Sequence, residues 1–275
     1  MGMRGAGWVA ISAALAGVLA ATSAFGEELK PLCPDRPGLG TSPCTLDAGR
    51  FQLELGLFDH VAELGGGGSA RTWANLTPAL KYGLTDRVEL QASLQPYVVV
   101  RVRDSTVGET RTARGLGDLY LWAKINLDRP EAEGGISWAV QPYVKLPTAD
   151  DAIGNGAVEG GVVVPVSIPL SEVWSLGLTT QLAAVEDAQG DGRHLAATAV
   201  VGLGRGFDNG LSATVELSTT QDFDPTETGR QYFLGLSGGW QPKSSPDMQW
   251  DLGINFGLNS EAPDAEIYGG VTRRF

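Results

Sequence analysis

Gly49-Arg50-Phe51-Gln52-Leu53-Glu54-Leu55-Gly56-Leu57 decides the fold. Phe51, Leu53, Leu55 and Leu57 alternate with Gln52, Glu54 and Gly56, the period-two pattern of a strand with one apolar face. The same unit, roughly ten residues long, recurs about a dozen times and ends at Phe275. At 88–100, Val88, Leu90, Ala92, Leu94, Val98 and Val100 oppose Glu89, Gln91, Ser93, Gln95 and Tyr97. At 119–127, Leu119, Leu121, Ala123, Ile125 and Leu127 oppose Tyr120, Trp122, Lys124 and Asn126. A dry sandwich core is a poor place for that second face. In lipid the arrangement inverts, with apolar side chains facing hydrocarbon and polar ones facing a lumen. The expected fold is therefore all-β, a transmembrane antiparallel barrel of about twelve strands.

Working outward, further strands are expected near 73–82, 136–146, 158–168, 174–184, 195–205, 211–219, 232–240, 248–258 and 266–275. Short connections at 83–86, 128–134, 170–173, 208–210 and 241–247 alternate with longer acidic or Gly-rich ones, the rhythm of periplasmic turns and extracellular loops. Both termini are then periplasmic. Under this parity Phe51, Trp138, Trp174 and Trp250 open upward strands, and Tyr82, Phe207, Trp240 and Phe275 close downward ones. All eight fall at one rim, as an aromatic girdle at a membrane interface. Tyr232 marks a thinner girdle at the other. Pro78, Pro96, Pro142, Pro165 and Pro169 interrupt the pattern, because each removes a ladder donor, and bulges or shifted boundaries are expected there.

Residues 1–26 read as a secretory signal: Arg4, an apolar run from Gly7 to Ala20, then small residues at Thr22, Ala24 and Gly26. Cleavage after Ala24 and cleavage after Gly26 both fit. Residues 27–48 form an N-terminal periplasmic or lumenal segment, and 49–275 the barrel. Losing the signal removes Arg4 alone from 20 basic residues and none of the 32 acidic ones, leaving a formal charge of −13. That balance disfavours nucleic acid as a partner. Export permits disulfides, and Cys33 and Cys44 lie close together, so one bridge is expected over two free thiols. Their spacing fits no metal motif.

Several short motifs follow in a fixed order. Asp35-Arg36-Pro37-Gly38 and Ser42-Pro43 precede Gly49-Arg50-Phe51-Gln52-Leu53-Glu54; Leu80-Lys81-Tyr82-Gly83-Leu84-Thr85-Asp86, Gly115-Leu116-Gly117-Asp118 and Lys145-Leu146-Pro147-Thr148-Ala149-Asp150 come after. From about Asp35 to Phe275 the chain resembles the outer-membrane barrel "transporter" family named for the meta-pathway of phenol degradation. Cys33 and Cys44 are additions to that pattern, and Ala149 stands where glycine is expected. The resemblance implies an outer-membrane barrel passing small organic molecules, with no catalytic residues to carry over.

The lumen supplies the candidate sites. Asp251, Arg274, Glu54, Lys81, Glu89 and Lys124 alternate in sign across neighbouring strands near the periplasmic rim, which reads as a cross-strand ladder setting the closing register. The sharper reading adds Asp35 and Arg36, held by this belt as part of a lumenal plug. Higher up, Tyr97, Arg101, Arg103, Tyr120, Trp122, Tyr143 and Lys145 are candidate solute contacts through stacking and cation–π attraction. Filling a narrow barrel demands the same bulky residues. Mixed charge argues against strong ion selectivity. Acidic loops around Asp150, Asp187, Asp191, Asp222 and Asp224 offer divalent-cation chemistry at the cell surface, though solvated loops are the default.

Catalytic and metal sites, and cofactors, are expected to be absent. His60 and His194 are the two histidines, and Gly202-Leu203-Gly204-Arg205-Gly206 sits in a strand without opening a helix. The expected function is a porin-like channel in the outer membrane of a Gram-negative bacterium, passing small, aromatic or hydrophobic organic solutes by passive or facilitated diffusion. The expected partners are outer-membrane lipid and lipopolysaccharide, the barrel-assembly machinery through the C-terminal strand, and the solute. A closed-lumen structural or surface barrel is the alternative, and an outer-membrane hydrolase the more distant one.

Overall fold

In a computed structural model the described residues are 29–65, 68–128, 135–190 and 192–275. The signal segment, Asp191 and most of the 128–134 connection lie outside them. Among the described residues there is no helix. The chain forms β1 (Phe51–Gly65), β2 (Gly68–Thr85), β3 (Val88–Leu94), β4 (Val98–Asp104), β5 (Thr110–Gly115), β6 (Leu119–Asp128) and β7 (Ser137–Leu146). It continues through β8 (Glu159–Pro169), β9 (Trp174–Glu186), β10 (Arg193–Gly206), β11 (Leu211–Asp222), β12 (Gly229–Trp240), β13 (Met248–Gly257) and β14 (Ala265–Arg274).

Fourteen segments make twelve staves. The long β2 pairs with β3 through one half and with β4 through the other, so β3 and β4 together are one stave broken at Gln95–Tyr97. Pro96 sits in that break, where its missing N–H ends the ladder. β5 and β6 are likewise one stave, broken at 116–118. The two breaks meet: the Gly117 amide donates to the Gln95 carbonyl at 2.8 Å. Every neighbouring pair is antiparallel, and β1 pairs with both β2 and β14, which closes the barrel. Pro142 and Pro165 leave smaller gaps, since the ladders jump from Trp122–Tyr143 to Ile125–Val140 and from Trp138–Val166 to Gln141–Val163.

Burial is inverted relative to a water-soluble protein. Lys81, Lys124, Gln52 and Glu89 are among the largest fully buried side chains, while leucine after leucine on the other parity is exposed. That exposed apolar face suits hydrocarbon. At the rim shared by the termini, Phe51 packs on Tyr82 with ring centroids 4.7 Å apart, and Trp240 stands opposite Trp250. Arg205 lies 5.2 Å from the Trp174 ring centroid and 4.9 Å from that of Phe207, and Arg273 lies 5.4 Å from that of Phe275. Cations beside half-exposed rings are at home at the lipid–water boundary, where the stem is buried and the head wet.

Candidate functional site

Residues 29–48 lie inside the barrel and cross it as a strap. The first anchor is Asp35, whose carboxylate is 2.6 Å from both Lys81 Nζ and Lys124 Nζ and accepts a bond from Gln91 Nε2. Lys81 also contacts Glu54 at 2.6 Å, and Glu54 accepts the Asp35 amide. The second anchor is Arg36, which grips Asp251 with Nε and Nη2 and stacks 5.8 Å from the Tyr268 ring centroid. The third is Glu216 on β11, accepting the amides of Leu39 at 2.7 Å and Gly40 at 2.9 Å. A Cβ at Gly38 would lie 2.8 Å from a Glu216 carboxylate oxygen, so a side chain there would push that carboxylate away from the Leu39 and Gly40 amides. Thr41, Pro43 and Leu46 complete the path, bonded to Thr179, Asn126 and Glu89.

Burial alone would raise the Asp35 carboxyl, but the ammonium groups of Lys124 and Lys81 outweigh it and hold it well below the usual carboxylate range. The sign follows from linkage: a depressed folded-state value adds stability above the ordinary pKa of about 4 and loses it only as the pH falls through the lower value. Acidification from pH 7 to about 5 is therefore expected to leave the strap seated. Single-channel conductance in planar bilayers would check it, and a step increase across that interval would contradict the assignment.

The expected ladder is divided by the strap. Glu54, Lys81, Glu89 and Lys124 form one cluster around Asp35. Asp251 is taken by Arg36 instead of Arg274. Arg274 pairs with Gln52 in register rather than facing Glu54, and its guanidinium binds Asp247 at 2.6 Å and the Lys30 carbonyl. The sequence pattern treated the wall as self-complementary; the inserted segment brings its own acid and base and reassigns the partners.

A disulfide joins Cys33 to Cys44, closing the strap into a loop. Such a small loop is worth about 3 kcal/mol in restricted chain entropy. Replacing both cysteines with serine is expected to loosen the strap while leaving the wall folded. Thermolysin, which cuts ahead of leucine, should then cleave between Gly38 and Leu39 in folded protein, read by mass spectrometry; a strap as resistant as in the oxidised parent would refute this.

Above the strap lies a cavity of about 500 Å³. Tyr120 and Trp122 line it, and Tyr143 backs Trp122 with ring centroids 4.3 Å apart. Lys145 sits 2.9 Å from Glu159 and 3.5 Å from Asp118, so its charge is matched by carboxylates. Of the other expected solute contacts, Tyr97 is 49% exposed in the stave break, and Arg101 and Arg103 are exposed on β4; none of the three lines this cavity. Pro96 is the reason, because the break at Gln95–Tyr97 cancels the inward parity that an unbroken strand would carry onward. Two contributors escaped the sequence reading. Gln141 and Gln181 both line the cavity, and Gln181 Nε2 donates to the Tyr143 hydroxyl at 3.0 Å. Alternation alone placed both inward; nothing in their types marked them out.

Two quoted motifs meet at the upper wall. The Asp150 carboxylate accepts the Leu116 amide at 2.8 Å, the Leu116 carbonyl accepts the Asp150 amide at 3.0 Å, and Asp118 accepts the Ala149 amide at 3.0 Å. The 147–158 connection thereby fastens to the broken fourth stave. At the outer end, His194 Nδ1 lies 2.9 Å from Asp187 and 3.5 Å from Asp224, joining two of the acidic loops. The amides of Ala188 and Thr226, with the Thr226 hydroxyl, hold the Asp224 carboxyl well below the usual range.

A family model described as "Putative MetA-pathway of phenol degradation" matches residues 34–275. The chain belongs to that family. No curated protein matches it by sequence. Among solved structures it is similar to an outer membrane channel from Pseudomonas putida F1, at 18% identity and a TM-score of 0.63, covering 87% of this chain and 99% of that one. The NanC porin aligns at 8% identity and a TM-score of 0.48, covering 81% and 98%. At these identities the first likeness establishes the fold, and the second carries no argument.

Proposed function

We propose that the chain is an outer-membrane channel that passes small organic solutes by diffusion, with the N-terminal strap as a built-in constriction. The observation that carries this reading is the cavity of about 500 Å³ above the strap, inside a closed wall whose inner face is polar and whose outer face is apolar. A second cavity of about 210 Å³ lies along the strap against β8–β11 and shares Asp35, Arg36, Thr41, Thr179 and Val200 with the first. The two together outline a route alongside the strap that runs past its anchors Asp35, Arg36 and Glu216. Aromatic side chains on one wall suit solutes with a ring. The apolar belt and its girdle suit outer-membrane lipid, and lipopolysaccharide and the assembly machinery are the partners that such a location entails.

Swelling of liposomes carrying the refolded protein in small neutral sugars and amides tests this directly. Permeation of solutes below about 200 Da is expected, since the cavity is of the size that holds a small ligand. No swelling with any of them would leave the closed structural barrel as the better reading.

A further inference from the structure

The pairing of the upper strands puts a group of arginines on the outer face. Tyr268 is buried against Arg36 in the lumen, so the next side chain, Ile267, which is 43% exposed, points to lipid. Paired residues share a face: Ile267 stands opposite His60, His60 opposite Trp73, Trp73 opposite Val99, and Val99 opposite Arg114. Two residues higher on that face Arg71 stands directly opposite Arg101, and Arg103 follows two residues beyond. All four arginines are exposed. Among the described residues none of the four has an ion pair or a side-chain hydrogen bond, whereas Arg111 is paired with Glu109 at 3.5 Å. The outward positions of β1, β2, β4 and β5 at this height hold no carboxylate among the described residues. In a chain of 32 acidic and 20 basic residues, this stretch of wall is cationic.

Like charges directly opposite on neighbouring strands destabilise the pair, and an anion seated between them reverses the sign. Height in the membrane says which anion. Between Tyr82 in the lower girdle and Arg71, β2 climbs about 28 Å, at about 3.3 Å per residue and a tilt of about 40°. The apolar band of such a barrel is about 25 Å tall, so the arginines stand at its outer boundary, where charge costs far less than at the midplane. We propose that Arg71, Arg101, Arg103 and Arg114 form a docking surface for the phosphate groups of lipopolysaccharide in the outer leaflet, with its acyl chains lying down the wall over Trp73 and Val99. Guanidinium forks match phosphate oxygens, and the Trp73 ring suits the boundary just below them. The proposal rests on the outer-membrane reading and not on whether the lumen conducts.

Bisphosphorylated and monophosphorylated lipid A, titrated into the detergent-folded protein and followed by native mass spectrometry, test it. The bisphosphorylated form is expected to bind about tenfold more tightly, a comparison that needs no variant. Arg71→Gln with Arg101→Gln should lower affinity for that form at least about tenfold, with the heat-modifiable gel shift and single-channel conductance unchanged. Arg205→Gln, at the opposite rim, should bind like the parent. Equal binding of the two lipid A forms, an unchanged affinity in the double variant, or an equal loss in Arg205→Gln would overturn the proposal. So would displacement of the lipid by inorganic phosphate at equal concentration, or an altered conductance with unaltered lipid binding, which would turn these side chains toward the lumen. Liposomes that fail to swell while lipid A binds as expected would refute the channel and leave this site standing; swelling without the lipid A preference would do the reverse.

Discussion

Replacing Lys81 with methionine is expected to destabilise the folded barrel by about 3–5 kcal/mol, the cost of removing one partner from a buried ion cluster. The side chain is 1% exposed, and its ammonium lies 2.6 Å from Asp35 and from Glu54 and 4.0 Å from Glu89. Methionine matches the length and leaves no cation among those carboxylates except Lys124. Three acids would then compete for one base in a place that water reaches poorly. Two relaxations are open to the protein: a carboxyl takes a proton, or the strap leaves and carries Asp35 into solvent. The measurement is the temperature at which folded protein loses its compact mobility on a gel, which should fall well below that of the parent. Acid should partly restore the variant, because protonation removes the excess negative charge, whereas the parent should not gain from acid. An unchanged transition temperature would show that the cluster is solvated and of little energetic weight.

Deleting residues 29–46 is expected to widen the channel, raising single-channel conductance about twofold or more for a twelve-stave barrel freed of a segment spanning its lumen. The strap binds β1, β2, β3 and β6 on one side and β9, β11 and β13 on the other, so it obstructs the middle of the cross-section and not an edge. A milder form, Asp35→Ala with Arg36→Ala, removes two of the three anchors and leaves the Glu216 cradle. Current should then flicker between two levels as the strap leaves and returns. The deletion does expose charges, since Asp251 loses Arg36, and cation preference should increase along with conductance. Identical conductance in parent and deletion would mean that the strap is not the constriction.

Much of the wall was legible in the sequence because side-chain direction in a strand has period two, and lipid outside with polar groups inside amplifies that signal. Phe51 to Leu57 needed nothing more. Period-two reasoning also located Trp122 and Lys124 correctly on the inner face. It failed where the backbone leaves the period: after Pro96 the parity resets, and Tyr97, Arg101 and Arg103 do not line the 500 Å³ cavity. The anchors of the strap were harder to foresee for a different reason. Asp251 and Arg274 look like partners when strands are compared in pairs, and only a segment from outside the strand pattern, supplying Arg36, separates them. Gln141 was invisible because an inward glutamine is unremarkable until every neighbour's hydrogen bonds are known.

The seam between β1 and β14 pairs Gln52 with Arg274, and so joins the two ends of the barrel sequence. Until the last strand arrives, the outward edge of β1 has no ladder partner, and the strap has Lys81 and Lys124 but not Asp251. Sealing the wall and seating the strap are therefore completed by the same final hairpin of β13 and β14. A chain whose β13–β14 hairpin has not yet docked would have neither a closed wall nor a fully anchored strap, so that one hairpin decides both properties at once.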